Sequence, residues 1–330
     1  MSNIVIGLVL VDAPYSALNN AGSDAGDRTD NIIRVKSIRK GNKQYPYVSG
    51  QAWRYWWRNI LEEKFNWEMS PIKRDKKIAF TEANPIKYPD DDVFGYMRAL
   101  KNKDGGTVTR ISPLKNSPLV SVVGQYPTND FGVMARHEGD PVPYEHEFYS
   151  TILKGIFSLD LNNVGKFFAN EKTGFKNMYP DLENFAKEQG LKQEDTCWIL
   201  DENTRIERSS NVISSLPYIY GGAKLTSHLT DVTPKFMILA AINGGNHIFM
   251  NVVHEENDRI NVDFDALDEV LSDYKDILLT DVYIGIRSGF LNEIRDDLNK
   301  FDNDHDNVKI GTINDVINEF NKNIPELIKE

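Results

Sequence analysis

Residues 49–64 read SGQAWRYWWRNILEEK. Trp53, Trp56, Trp57, Ile60 and Leu61 fall at i, i+3, i+4, i+7 and i+8, the spacing of one wide apolar stripe on a helix. Ser49 stands where an N-cap hydroxyl satisfies free amides, so the spacing predicts a helix from about Gly50 to Lys64. Gln51, Arg54 and Arg58 share the same spacing on a flanking face. Tryptophans thus anchor one surface, and the adjacent one offers two guanidinium groups held still enough for bidentate contacts.

Outward from this helix, residues 3–11 (NIVIGLVLV) are a β-branched run suited to a central strand. Residues 17–47 carry Asn19, Asn20, Gly22, Gly26, Gly41 and Pro46 with little periodicity. They read as a long functional loop with a short strand near Ile32–Ile38. Residues 65–92 look like a polar insertion. Val108–Val123 and Glu147–Leu161 are strand-rich, and Gly124–His146 between them is expected to project as a loop or ribbon. Residues 163–197 read as helical and peripheral. A helix near Thr204–Leu216 leads into Gly221-Gly222-Ala223-Lys224. Lys235–Ile242 and His247–Val253 suggest a hairpin around Asn243-Gly244-Gly245. An acidic helix (Asp265–Tyr274), a strand (Asp281–Ile286) and a polar helical tail follow. Strand, helix, two strands, helix, strand is the split βαβ order of ferredoxin-like and RNA-recognition-motif folds, an α+β class.

The 330 residues are 40% hydrophobic and 26% charged, as a soluble globular protein with a real core requires. No apolar run approaches the roughly 18 residues of a membrane span. The start, MSNIVIGLVLVDAPYS, lacks the basic opening of a signal peptide, so no membrane role is expected. Cys197, the single cysteine, cannot pair internally, which points to a reducing cytoplasm, and within TCWIL it reads as a small buried hydrophobe.

Charge is unevenly spread. The chain carries −11, yet Arg28–Arg58 carries +7 and Met97–Pro118 carries +4, while Glu255–Asp306 alone carries −11. A polyanion needs only a local positive field, because phosphate neutralisation acts at contact. The first basic stretch reads as a phosphate-binding surface; the alternative is a solvated loop whose arginines pair with acids elsewhere. In the second, Gly105-Gly106 would permit close backbone approach, with solvated surface as the alternative. Gly221–Lys224 follows a helix bearing Arg205 and Arg208 and is either an anion-facing loop or a plain turn. It is no P-loop, and no G-x-G-x-x-G opens a helix after a strand. Phe131, Met134, Arg136 and His137 on the projecting segment suit a wedge between bases, or burial against a neighbouring subunit.

Two clusters bear on enzyme chemistry. Asp24, Asp27 and Asp30 recur every third residue and could bind Mg²⁺ for phosphodiester cleavage, though the Ca²⁺-loop spacing is missing and turn aspartates are the plainer reading. His137, Glu138, His146 and Glu147 do not match H-E-x-x-H, so no zinc site is expected.

Taken in order, ALNNAGSDAGDRTDNIIRVKSIRK, YPYVSGQAWRYWWR, DVFGYMRA, RISPLKNSPLVS and YGGAKLTSHLTDVTP resemble CRISPR Cascade backbone subunits of the DevR branch of the Cas-seven family, typical of type I-B systems. The resemblance runs across Asn19–Pro234. It implies a modified RNA-recognition-motif palm with an inserted finger-like helical region and a projecting thumb. The implied boundaries are a first palm half at 1–64, an insertion or web at 65–106, and central strands at 107–162 with the thumb at about 124–146. A peripheral helical insertion at 163–203 and the second palm half with the acidic C-terminal region at 204–330 complete the division. Such subunits polymerise head to tail along the spacer of a crRNA and hold its sugar-phosphate chain, leaving sequence to be read by pairing with target DNA. Their partners are crRNA, copies of themselves and the five-, six- and eight-type Cascade subunits. Carried over, the palm contacts are Asn20, Arg34, Lys36, Arg39, Ser49, Gln51, Arg54 and Arg58. Arg98, Arg110 and Lys115 line the web, Gly221, Gly222 and Lys224 form the loop contact, and Met134 and Arg136 lie on the thumb. The resemblance implies no catalysis, metal or cofactor. Two other classes stay open: a metal-dependent endoribonuclease of the type III backbone kind using Asp24, Asp27 or Asp30, and a regulator or scaffold without nucleic acid.

Overall fold

The computed structural model describes residues 1–22, 32–75, 78–100, 106–136, 138–170 and 176–329. The NIVIGLVLV run extends into the strand Asn3–Ser16. It pairs antiparallel with Val142–Asp160 on one side and Phe236–Asn243 on the other. The sheet continues in the order 308–311, 282–286, 236–243, 3–16, 142–160, 119–121, 43–48, 37–40. The run has no polar alternation because both its faces are covered. Val5, Val9 and Val11 join a core with the tryptophan helix, and Ile4, Ile6, Leu8 and Leu10 join a second core beneath the acidic C-terminal segment.

The helix spans Gly50–Phe65, with Ser49 as N-cap accepting from Ala52 N–H at 3.3 Å. Its whole apolar stripe is buried. Trp57 stacks on Trp53 at 5.5 Å, meets Phe157 edge-on at 5.4 Å, and donates its Nε1–H to Ser215 Oγ at 2.7 Å. Each aromatic pair adds about 0.5–1.5 kcal/mol beyond its area. Helix, sheet and the helix Glu202–Ser214 are therefore fixed to one another.

The projecting segment is a ribbon, Thr128–Met134 paired antiparallel with the start of Val142–Asp160. Three expectations are corrected. Residues 163–197 are not simply helical: a three-stranded sheet of 166–168, 197–199 and 192–194 packs with the helix Pro180–Glu188. The hairpin expected around Asn243 does not form, because Phe236–Asn243 pairs with the first strand and with Val282–Ile286, while His247 Nε2 bonds Gly7 O at 2.9 Å. The loop 17–47 holds more strand than expected, including a hairpin of Ser37–Lys40 with Lys43–Val48 turned at Gly41. No helix among the described residues is long and apolar enough to cross a membrane.

Candidate nucleic-acid interface

The end of the first strand, the edge hairpin, the tryptophan helix and the glycine loop meet around Asn19. Ser49 N–H donates to Asn19 Oδ1 at 2.9 Å. Lys36 N–H donates to Asn19 O, and Tyr47 N–H to Lys36 O, each at 2.9 Å. Ala223 N–H donates to Leu18 O at 2.9 Å. Asn20, Lys36, Ser49, Gln51, Gly221 and Gly222 are thereby gathered at the helix N-terminus. The first helical turn carries no acid, so its partial positive charge is not offset from within.

The glycines serve packing. A Cβ on Gly221 would lie 2.3 Å from Trp56 Cδ1, and one on Gly222 would lie 2.5 Å from Leu18 Cδ2. Both hold positive φ, +151° and +113°, which glycine tolerates. Lys224 then lines a groove of about 590 Å³ with Ile32, Ile33, Met134, Val142, Tyr144 and Glu145. The ribbon's Met134 and the loop's Lys224 are thus brought together. Burial lowers the Lys224 pKa, opposed by Asp130. Across the ribbon His146 Nε2 lies 3.2 Å from Asp130 Oδ2, and burial, with Lys224 next, holds its pKa down. Arg136 is exposed near the ribbon's tip, and Arg39 is exposed on the edge hairpin.

Residues 9–264 match the family described as CRISPR-associated negative auto-regulator DevR/Csa2. The chain belongs to that family. No individually curated protein matches it by sequence. Among solved structures, one described as "CRISPR RNA-guided surveillance complex, pre-nicking" is similar with a TM-score of 0.55 and 11% identity, covering 96% of this chain and 99% of that one. Another, described as "CRISPR RNA-guided surveillance complex", gives 0.50 and 11%, covering 88% and 91%. At that identity the likeness is one of fold.

In this DevR/Csa2 chain several arginines expected at the surface point inward. Arg110 is corrected outright. It is buried, binds the Asp92 carboxylate, and also donates to Asp92 O, Lys166 O and Asn163 O. Arg208 binds the other Asp92 oxygen at 2.6 Å, and Arg205 donates to Val164 O and Leu161 O. Neither belongs to an anion loop. Arg54 Nη1 donates to Leu114 O and Asn116 Oδ1, and Nη2 to Phe94 O and Ser112 Oγ, at 2.7–3.0 Å. Its guanidinium ties the helix to Phe94 and to residues 112–116, and burial, then Arg58, pushes its pKa down to about 10, still charged at neutral pH. Arg58 lies over the Phe94 ring at 4.2 Å, and burial lowers its pKa against the pull of Asp90 and Asp91. Arg34 Nη1 pairs with Glu147 at 2.9 Å. Arg98 donates to Glu82 O at 2.5 Å and lies over Phe80.

Lys115 is exposed but distant. It stands opposite Ser158 on the long strand, whereas Ser16 stands opposite Tyr149, roughly 30 Å away along it. The hub residue Asn19 reads in sequence only as a turn former, since no spacing in one sequence links it to Ser49. Asp92 leaves a faint signal in Pro89-Asp-Asp-Asp, a helix start richer in acid than a dipole needs. Asp24, Asp27, Asp30 and His137 lie outside the described residues. Among the described residues no group of three or more His, Cys, Asp or Glu is placed to hold a metal ion.

Proposed function

We propose that this chain is a non-catalytic backbone subunit of a type I-B Cascade surveillance complex, binding crRNA by its sugar-phosphate chain and presenting it for pairing with target DNA. The observation that carries this reading is the meeting of the first strand's end, the edge hairpin, the tryptophan helix and the glycine loop around Leu18 and Asn19. They set Asn20, Lys36, Ser49, Gln51 and the Gly221–Lys224 loop around one uncompensated helix N-terminus, at the root of a projecting ribbon. Polar groups held by main-chain bonds can follow a repeating phosphate chain without inspecting bases. Family membership and the two surveillance-complex likenesses support the same assignment.

In this reading, strands 236–243, 3–16, 142–160 and 119–121, antiparallel neighbours in that order, form an RNA-recognition-motif palm. The face that such a palm would open to bases is covered here by the C-terminal segment, which favours backbone contact. The ribbon is the thumb, reaching a neighbouring copy in a head-to-tail array, an open heterologous assembly templated by the RNA. Five-, six- and eight-type subunits complete the particle.

The test is binding of the purified chain to unrelated single-stranded RNAs across a salt series. Affinity should be alike across sequences and should fall linearly in log–log form with salt. RNAs long enough for several sites should collect stacked copies visible by electron microscopy. Affinity that ignores salt, or that depends strongly on base sequence, would overturn the reading.

A further inference from the structure

One turn beyond Gln51 on the tryptophan helix, the Tyr55 ring is 62% exposed. Tyr220, the residue immediately before the glycine pair, is 44% exposed. Its hydroxyl donates to Glu63 Oε1 of the same helix at 2.6 Å. Its other end is fixed by Gly221, which lies against Trp56 at a distance no side chain would permit. Tyr220 is therefore laid along the helix surface and held at both ends. Tyr55 is the helix neighbour of Trp56, the ring on which Gly221 packs, so the two tyrosines flank the same stretch of the helix. Neither ring fills the core, and neither is used by the contacts described above.

We propose that Tyr55 and Tyr220 form a stacking platform for a nucleobase, adjacent to the phosphate-facing Gln51 and Gly221–Lys224. The platform rests on the RNA-binding reading and adds a base-contacting subsite to a surface otherwise facing the backbone. Stacking uses the π-face that all bases share, so the subsite adds affinity without reading sequence. The Tyr220–Glu63 bond fixes one ring in advance, so little rotamer freedom is lost on binding. Glu63 takes that hydroxyl bond 12 residues beyond Gln51 on the helix, about 18 Å along its axis, so its carboxylate lies away from the Gln51 end.

The experiment compares an RNA oligonucleotide with an abasic ribose-phosphate chain of equal length, measured by fluorescence anisotropy at fixed salt. Tyr55→Ala with Tyr220→Ala should weaken binding to the base-bearing RNA by roughly 5- to 100-fold and leave the abasic chain unchanged. Lys36→Ala with Lys224→Ala should weaken both alike. Tyr55→Leu, which keeps apolar volume, should show the same RNA-only loss and excludes a folding defect, and ultraviolet cross-linking should join a base to Tyr55 or Tyr220. Equal loss on both chains, or no loss on either, overturns the platform while leaving the RNA reading intact. Intact RNA affinity with loss of stacked copies would assign the face to a protein neighbour and also overturn it. Wild-type protein that binds neither chain removes the RNA reading itself, and the platform with it.

Discussion

Asp92 and Arg208 meet out of reach of water, with Oδ2 of the carboxylate accepting from Nη1 at 2.6 Å while Arg110 occupies the other oxygen. Gly165 N–H adds a third donor at 3.0 Å. One carboxylate thus joins the short helix Pro89–Phe94, the strand Thr107–Arg110, the helix Glu202–Ser214 and the turn after the long strand. Removing it leaves two buried cations without a counter-charge. Asp92→Ala should therefore cost about 3–5 kcal/mol, read as a fall in the urea midpoint. Replacing Asp92, Arg110 and Arg208 together by apolar residues of similar volume should cost less than that single change. A single variant with an unchanged midpoint would show that the network carries no weight.

Gly221→Ala makes a sharper steric test. The new Cβ would sit 2.3 Å from the Trp56 ring, and φ of +151° adds backbone strain that alanine tolerates poorly. The expected loss is about 1–3 kcal/mol, with a shifted tryptophan emission because Trp56 must move. Gly245→Ala, which meets nothing within 4 Å and holds no positive φ, is the control and should be near neutral.

The tryptophan helix, its cap and the ribbon were legible because each depends on local spacing: an apolar stripe, a serine at the boundary, breakers between strands. The buried charges were not. Arg54, Arg110, Arg205 and Arg208 lie in sequence neighbourhoods that look like phosphate sites, and only the fold shows carbonyls and Asp92 already at their nitrogens. A positive local charge count records residues and not directions. The hairpin expected at Asn243-Gly244-Gly245 failed for a related reason. The turn residues are present, but Phe236–Asn243 gains more by pairing in the sheet centre, where both faces are buried, than with the segment that follows it.

The candidate surface therefore moves from the helix arginines to lysines. Lys36→Ala with Lys224→Ala should weaken RNA binding uniformly across sequences and reduce the log–log salt slope by about one for each phosphate no longer neutralised. Arg54→Ala should act differently, lowering the urea midpoint by removing four hydrogen bonds while leaving the salt slope of the folded fraction unchanged. A reduced slope in Arg54→Ala with full stability would return that guanidinium to the interface.

Asp90 supplies a pH signature. Its carboxylate opens the helix Pro89–Phe94, and Oδ1 accepts from Ser70 N–H at 2.9 Å. Burial, with the Asp91 charge adding, raises its pKa from 3.8 to about 6, against the Ser70 bond and Arg58. Asp91 is raised as well, again chiefly by burial. Between about pH 4 and 6 the folded protein therefore keeps a proton that the unfolded chain has released. This carboxylate's contribution to stability consequently falls as pH rises through that window, and the penalty is complete above it. The span corresponds to at most about 3 kcal/mol. Asp90→Asn keeps the acceptor for Ser70 and removes the titration. Urea unfolding of both proteins from pH 4 to 8 should show the variant gaining on the wild type across pH 4–6 and holding a constant difference beyond. A difference that stays level through the window would mean that Asp90 titrates at its ordinary value and that water or Arg58 already compensates its burial.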